Sequence, residues 1–477
     1  MQFDKNKDWL LQLSQINPNG LAVITSSQRF TFAVLNVLVD NTRKSLINSG
    51  IKKNNNCAIV LNNNIDFIIS VLALWRIGAV PVPLNLRLTN TELEKQISFT
   101  DCDFIILQKE LKKSFEFKNH KIIEAEFGNT VSQIENYYED DFKESRASLI
   151  LFTSGSTDKP KAVVFTFKNF INSAAQTNKL INVDENDSWL ASLPFYHIGG
   201  FMIFVRALFT GIPLIIPSSL AHENIVNSIL KQNPSFISFV SAQLAKIINE
   251  NILPNKNLKA VFLGGGPVEN NLIISAKEKG WNVIKVYGST ETCSMVTALD
   301  CRNKIKKIES AGKPLKENSI FISGNNNNGE IIIESGSVAK SYYKDSGNKL
   351  LNGKFHSNDF GYIDEDGYLF IEGRVDDIII SGGENINAKE ITTALFENPK
   401  IEDAFTFGIK DYKWGRAVVS AVVAKDKSIN EANLKEYLKS KIASYKIPKR
   451  IFFVKEIPKT ELGKVRKEEL QKQLTSY

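Results

Sequence analysis

Apolar positions along the first hundred residues switch between two rhythms. Phe32 to Ser49 carries them at helical spacing and stops at Gly50, which predicts a helix. Cys57-Ala58-Ile59-Val60-Leu61 is a continuous apolar run of strand length. Residues 65–77 read as a second helix closed by Gly78, 79–84 as a strand and 104–107 as another. The rhythm returns with strands at 188–193, 214–216, 236–240, 260–263 and 282–286, separated by helices at 201–209, 225–232 and 269–279. Such alternation builds an α/β fold around a mostly parallel sheet.

After about residue 300 the pattern shortens. Asn325 to Asn328 with Gly329 forms a turn, followed by strands at 330–334 and across 361–370, which predicts an antiparallel β-rich region. From 375 a compact α+β pattern follows, with strands at 378–380, 405–409 and 417–423 and helices at 388–396 and 434–442. The expected architecture is α/β. A large N-terminal domain of mostly parallel sheets with helices and a β-rich subdomain spans 1–374, and a small α+β domain spans 375–477. The boundary falls at Arg374-Val375-Asp376. No unit repeats at a period that would signal a solenoid.

Composition narrows the class. A chain of 477 residues with 43% hydrophobic and 23% charged residues is neither disordered nor a fibrous repeat. Its longest apolar runs, 201–208 and 212–217, are too short to cross a bilayer, and Met1 to Lys5 shows no signal-peptide pattern. A cytoplasmic protein without stable membrane insertion is expected. Four cysteines (57, 102, 293, 301) form no CxxC pair, and with four histidines they make a His/Cys metal centre an unfavoured reading. The net charge of +7 sits wholly in 425–477, where 14 Lys and Arg face 7 Asp and Glu. A basic end suits a polyphosphate, an anionic lipid or a nucleic acid, or is simply a solvated helical face.

Most chemical information lies in Leu149-Ile150-Leu151-Phe152-Thr153-Ser154-Gly155-Ser156-Thr157-Asp158-Lys159-Pro160-Lys161. An apolar strand runs into small hydroxyl residues and glycine, then a lysine pair. Such residues let backbone N–H groups turn toward an anion, and the lysines add positive charge. The spacing is not that of a Walker A loop.

This segment resembles the signature loop of the adenylate-forming superfamily, which includes acyl-CoA synthetases, peptide-synthetase adenylation domains and luciferases. Further motifs follow in that superfamily's order: Tyr287-Gly288-Ser289-Thr290-Glu291, then Ser357-Asn358-Asp359-Phe360-Gly361, then Gly373-Arg374-Val375-Asp376, then Ser381-Gly382-Gly383, and last Pro458 to Lys464. Each alone is an ordinary turn or surface residue; the ordered set over nearly the whole chain is specific.

The resemblance implies a reaction in two halves. A carboxylate attacks the α-phosphate of ATP, and a thiol, here coenzyme A, then attacks the acyl-adenylate. Thr153, Ser154, Gly155, Ser156, Thr157 and Lys161 would hold the β- and γ-phosphates, with Thr290 at the α-phosphate, Gly288 beside the nucleotide and Glu291 on Mg²⁺. Gly264, Gly265, Gly266 and Tyr287 would border the adenine, Asp359 would accept the ribose hydroxyls, and Arg374 would reach the nucleotide. Lys464 would bridge the carboxylate and α-phosphate. Asp376 would be the hinge of a mobile small domain that brings Gly382 and Gly383 to the thiol.

The acyl site is implied by Leu193 to Phe201, where His197 would form a catalytic wall between the acid and the thiol. Aromatic residues and His197 stand where amino-acid-activating relatives place an Asp. The details resemble the o-succinylbenzoate–CoA ligases of menaquinone biosynthesis. That substrate carries a second carboxylate, for which Arg206 is an apt partner; the other reading of Arg206 is a helix-surface arginine. Ser238 and Gln243 would add polar contacts, and Ser289 would shape the pocket floor. A ligase for a fatty or aryl monocarboxylic acid, and an adenylation module loading a carrier protein, stay open. The implied partners are a small carboxylic acid, ATP, Mg²⁺ and CoA, with no nucleic acid; a homo-oligomer is compatible.

Overall fold

The structure is a computed structural model. It describes residues 4–115, 117, 120–127, 142–153, 161–324, 328–345, 350–351, 353–375, 378–381, 384–411, 415–426, 428–442, 444–460 and 465–474. The chain divides into two compact units, 1–320 with 333–355, and 321–332 with 356–477.

The first unit is built on a nine-stranded sheet. Strands Leu21–Ile24, Leu214–Ile215, Trp189–Leu190, Phe236–Phe239, Ala260–Leu263 and Val283–Ser289 lie parallel, each beside the next, with antiparallel strands at both edges. Trp189 aligns with Phe236, Phe236 with Ala260, and Leu263 with Lys285. The loops after Leu190, Phe239 and Leu263 and the end of the Val283–Ser289 strand therefore emerge at one carboxyl edge, where open α/β sheets bind ligands. A second, all-parallel sheet joins Val80–Pro83, Asn56–Val60, Cys102–Gln108 and Lys121–Ala125. The predicted strand over 188–193 shortens to Trp189–Leu190, because Ser192 and Pro194 already belong to the turn leading to the next helix.

The Ile65–Ile77 helix matches its predicted ends. Asn64 caps it by accepting the Phe67 N–H at 3.0 Å, and Gly78 closes it at φ 82°. Apolar on all sides, it is buried on all sides. Its Trp75 lies edge-on to Trp9 and Phe167 and stacks on Phe204, while the indole N–H donates to the Ser148 carbonyl at 2.7 Å. Beside it, Arg76 donates to Asp8 at 2.6 Å, both side chains buried.

In the second unit, Ile401–Asp411 and Gly415–Ala424 form a long antiparallel pair, with Arg450–Phe453 parallel at its edge. Helices Ala388–Phe396 and Glu431–Lys439 cover one face through Ile391, Leu395, Leu434 and Leu438, which meet Val418, Val422 and Ile451. Asp359 to Ile363 pairs antiparallel with Leu369 to Arg374, as the short-strand pattern predicts. Among the described residues all four cysteines are buried and free, and no helix is long and apolar enough to cross a membrane.

Candidate active site

The phosphate-binding candidate is a hairpin. Ala147–Phe152 and Ala162–Thr166 pair antiparallel from Phe152 opposite Ala162 to Ala147 opposite Thr166. At the loop's base the Thr153 N–H donates to the Lys161 carbonyl at 2.9 Å, so these two residues hold the loop's ends together. Lys161 is exposed, and its ammonium has no acid partner among the described residues. A strand returning immediately, rather than a helix, explains why the spacing departs from Walker A. Ser154, Gly155, Ser156 and Thr157 lie outside the described residues, as do Asp376, Gly382, Gly383 and Lys464.

At the sheet's carboxyl edge, Ser289 ends one strand and Ser294 begins its antiparallel neighbour. The turn between them presents Thr290 and Glu291. Thr292 pins it: its hydroxyl accepts the Ser289 N–H at 2.8 Å and donates to the Ser294 carbonyl at 2.8 Å. Cys293 and Ser294 adopt φ of 54° and 87°, conformations that non-glycine residues avoid. Ser173 helps hold them, donating to the Cys293 carbonyl at 2.7 Å. A strained turn fixed from several sides presents its side chains in one geometry. Glu291 is half-buried, and its Oε1 accepts from the Tyr342 hydroxyl at 2.8 Å. Its Oε2 has no protein partner among the described residues. One free hard oxygen is what Mg²⁺ takes from a protein when phosphates supply the rest.

Gly288 and Tyr287, both half-buried, sit on the adjoining strand, opposite Met295 and Thr297. On the next strand's end, a Cβ on Gly264 would stand 2.7 Å from Val286, and Gly265 has φ 86°. Gly266 follows, exposed. Side chains are thus barred where the resemblance expects a flat ring.

His197 occupies the N-cap position of the Ile198–Thr210 helix, half-buried, with its ring 4.7 Å from that of Tyr196. The loop before it is folded hard onto the helix's first turn. A Cβ on Gly200 would stand 2.1 Å from the Pro194 carbonyl oxygen. Asn63 clamps the same loop, donating to the Leu193 carbonyl at 2.8 Å and accepting the Phe195 N–H at 3.0 Å. Sequence reading passed over Asn63, whose only local signal is a polar run after a strand. The Gln243 amide accepts the Val240 N–H at 3.2 Å and donates to the Ser192 carbonyl at 3.0 Å, which orients the side chain and leaves one N–H and one lone pair for other contacts. Ser238 is buried beside it, its carbonyl accepting from the Ser192 hydroxyl at 2.5 Å. The Ser289 hydroxyl is buried with no hydrogen-bond partner among the described residues.

Arg206 lies two turns further along the same helix and is 1% exposed, which removes the surface reading. Its guanidinium lies over the Trp189 ring at 5.8 Å. Its Nε and Nη2 have no hydrogen-bond partner, and no acid pairs with it among the described residues. Burial pulls its pKa down from the ordinary arginine value to about 10.

In the second unit, Asp359 and Arg374 are cross-strand partners, 3.3 Å apart between Oδ1 and Nη1. Asn358, in the glycine position of the motif, takes φ 60°. Asn tolerates that region, so the turn survives the replacement. The Ser357 hydroxyl accepts the Asp359 N–H at 3.0 Å.

Comparison with known proteins agrees with this layout. The AMP-binding enzyme family matches residues 13–343, and the AMP-binding enzyme C-terminal domain matches 390–464. The 2-succinylbenzoate–CoA ligase of Bacillus licheniformis is 31% identical over 97% of this chain and 99% of its own. The o-succinylbenzoate CoA synthetase of Bacillus subtilis, solved with the acyl-adenylate intermediate OSB-AMP, superposes with a TM-score of 0.88 at 29% identity, covering 98% of each chain. The same enzyme solved with ATP and magnesium ion gives 0.88 at 29% identity, covering 98% of this chain and 99% of that one. A family match well past half of the 477 residues, joined to full-length relatives, settles the assignment: this chain belongs to the AMP-binding enzyme family.

Proposed function

We propose that this chain is an ATP-dependent acid–CoA ligase that converts 2-succinylbenzoate to 2-succinylbenzoyl-CoA through an acyl-adenylate, in the cytoplasm, as a step of menaquinone biosynthesis. The observation that carries the substrate assignment is Arg206. A guanidinium buried with two bare nitrogens is costly unless an acceptor fills them. A second carboxylate on the acid is such an acceptor. The side chain of a helical residue leans toward the helix N-terminus. In this helix that is the His197 end, so Arg206 and His197 are read as two ends of one acyl site. Ser238 and Ser289, the latter's hydroxyl without a partner among the described residues, are read as further polar contacts to the acid.

In the first half-reaction two anions approach each other, so the protein's task is to place positive charge and donors around the phosphates before they meet. Thr153, the loop at 154–157 and Lys161 are assigned to the β- and γ-phosphates, Thr290 to the α-phosphate and Gly288 to a place beside the nucleotide. Glu291 is assigned to Mg²⁺, which neutralises phosphate charge when bound. Gly264 to Gly266 and Tyr287 are assigned to the adenine, Asp359 and Arg374 to the ribose side of the nucleotide. Lys464 is assigned to the transition state as a flexible point charge between carboxylate and phosphate. For the second half we assign Asp376 as the hinge between domains 1–374 and 375–477, Gly382 and Gly383 as the passage for the CoA thiol arm, and His197 as the wall between thiol and acid. The family's C-terminal match over 390–464 supports that division.

The test is ATP- and CoA-dependent pyrophosphate release over o-succinylbenzoate, benzoate, octanoate and several amino acids. A clear preference for o-succinylbenzoate is the expected outcome. Preference for benzoate or octanoate would keep the ligase chemistry and discard the substrate. Turnover that ignores CoA would point to a carrier-loading module.

A further inference from the structure

We infer that Tyr342 is a positioning residue for the metal-binding carboxylate, and that the strap 339–343 ties that carboxylate to the strand returning from the phosphate loop. This rests on the reading of Glu291 as the Mg²⁺ ligand and adds a residue that reading does not contain.

The strap holds Glu291 at two points. The Ala339 N–H donates to the Glu291 carbonyl at 2.8 Å, and the Tyr342 hydroxyl donates to Oε1 at 2.8 Å. Backbone and carboxylate are thus fixed together, and Oε2 is the oxygen left for a cation. The strap is also a strand. Ser341 and Tyr342 pair antiparallel with Val164 and Val163, and flanking bonds run from the Lys340 N–H to the Val164 carbonyl and from the Tyr343 N–H to the Ala162 carbonyl. Ala162 directly follows Lys161 at the base of the phosphate loop.

Both ends of the strap are anchored. Before it, Asn169 donates to the Val338 carbonyl at 2.6 Å. After it, the Tyr343 hydroxyl donates to Asp101 at 2.9 Å and accepts from Asn56 at 3.0 Å. The Tyr342 hydroxyl therefore works from a fixed base. A ligating carboxylate held through its other oxygen keeps one orientation, and loss of such an outer partner typically costs about 10–100-fold in metal affinity.

The experiment titrates Mn²⁺ into the protein with a non-hydrolysable ATP analogue, followed by electron paramagnetic resonance, alongside binding of the analogue without metal. Tyr342→Phe keeps the ring and removes the hydroxyl. We expect Mn²⁺ affinity to fall about tenfold while metal-free analogue binding and the melting temperature hold. Tyr342→Phe combined with Glu291→Gln should lose no more Mn²⁺ affinity than Glu291→Gln alone. Glu291→Asp, which keeps the charge but withdraws it from the hydroxyl, should match Tyr342→Phe and stands in for it should that variant not fold. Unchanged Mn²⁺ affinity in Tyr342→Phe or Glu291→Asp, with Glu291→Gln impaired, would overturn the positioning role alone. Unchanged affinity in Glu291→Gln would remove the metal-ligand reading and the inference with it.

Discussion

At the residue scale, Arg206 carries the sharpest contradiction between sequence and environment. An arginine in an apolar helix reads equally well as surface or site, since one helical position cannot say what packs against it. Tertiary burial decides: the guanidinium lies over the Trp189 ring with no acid partner among the described residues. Its charged form is penalised on folding: burial lowers its pKa from the ordinary arginine value to about 10. The penalty is full below about 10 and fades as pH rises from there toward the ordinary arginine value. Arg206→Met should therefore melt at or above the wild-type temperature at neutral pH, since apolar replacement of a buried charge is neutral or stabilising. It should also raise the KM for o-succinylbenzoate roughly 10–100-fold, the worth of about 1.5–3 kcal/mol for a lost charge-assisted contact. A lower melting temperature with an unchanged KM would make Arg206 a structural residue. Asn358 is the opposite case. Its tolerance of left-handed backbone is intrinsic to asparagine, so the φ of 60° before Asp359 needs no tertiary contact to explain it.

At the element scale, the junction between the 193–197 loop and the Ile198–Thr210 helix sets the place of His197. Gly200 exists to let the Pro194 carbonyl approach the first turn, and Asn63 holds the loop from another strand's end. Gly200→Ala must push that backbone away. We expect a loss of about 1–3 kcal/mol in stability and a drop in acid turnover, measured by thermal melting and by pyrophosphate release. Full activity with a normal melting temperature would show that the loop moves freely and that its packing does not place His197. Helices such as Ile65–Ile77 and Ala388–Phe396 were legible to the residue, because spacing and caps lie in the local sequence. The Ala162–Thr166 return strand was not singled out, since a five-residue apolar run takes its identity from the neighbour it pairs with. The strap at 339–343 was missed for the same reason; its two-residue strand exists only by virtue of Val163 and Val164.

At the scale of the whole molecule, the proposed mechanism gives the two half-reactions different needs from the two ends of the chain. Lys464→Ala should abolish adenylation while leaving thioester formation from a supplied acyl-adenylate intact. The two halves are separated by measuring pyrophosphate release and CoA consumption from the preformed adenylate. Equal loss in both would remove the assigned role of Lys464. The sequence by itself determined the alternation of strands and helices, the order of the motifs and the family they belong to, because periodicity and motif chemistry are written in contiguous residues. Tertiary structure alone decided which of those residues are buried, which oxygen of Glu291 stays free among the described residues, what the Gln243 amide bonds to, and that Tyr342 and Asn63 support groups far away in the chain. The physical reason is that burial and hydrogen-bond partners are set by packing between segments. Tyr342 and Glu291 are 51 positions apart, and Asn63 and Leu193 are 130 apart. No local pattern encodes such a pairing.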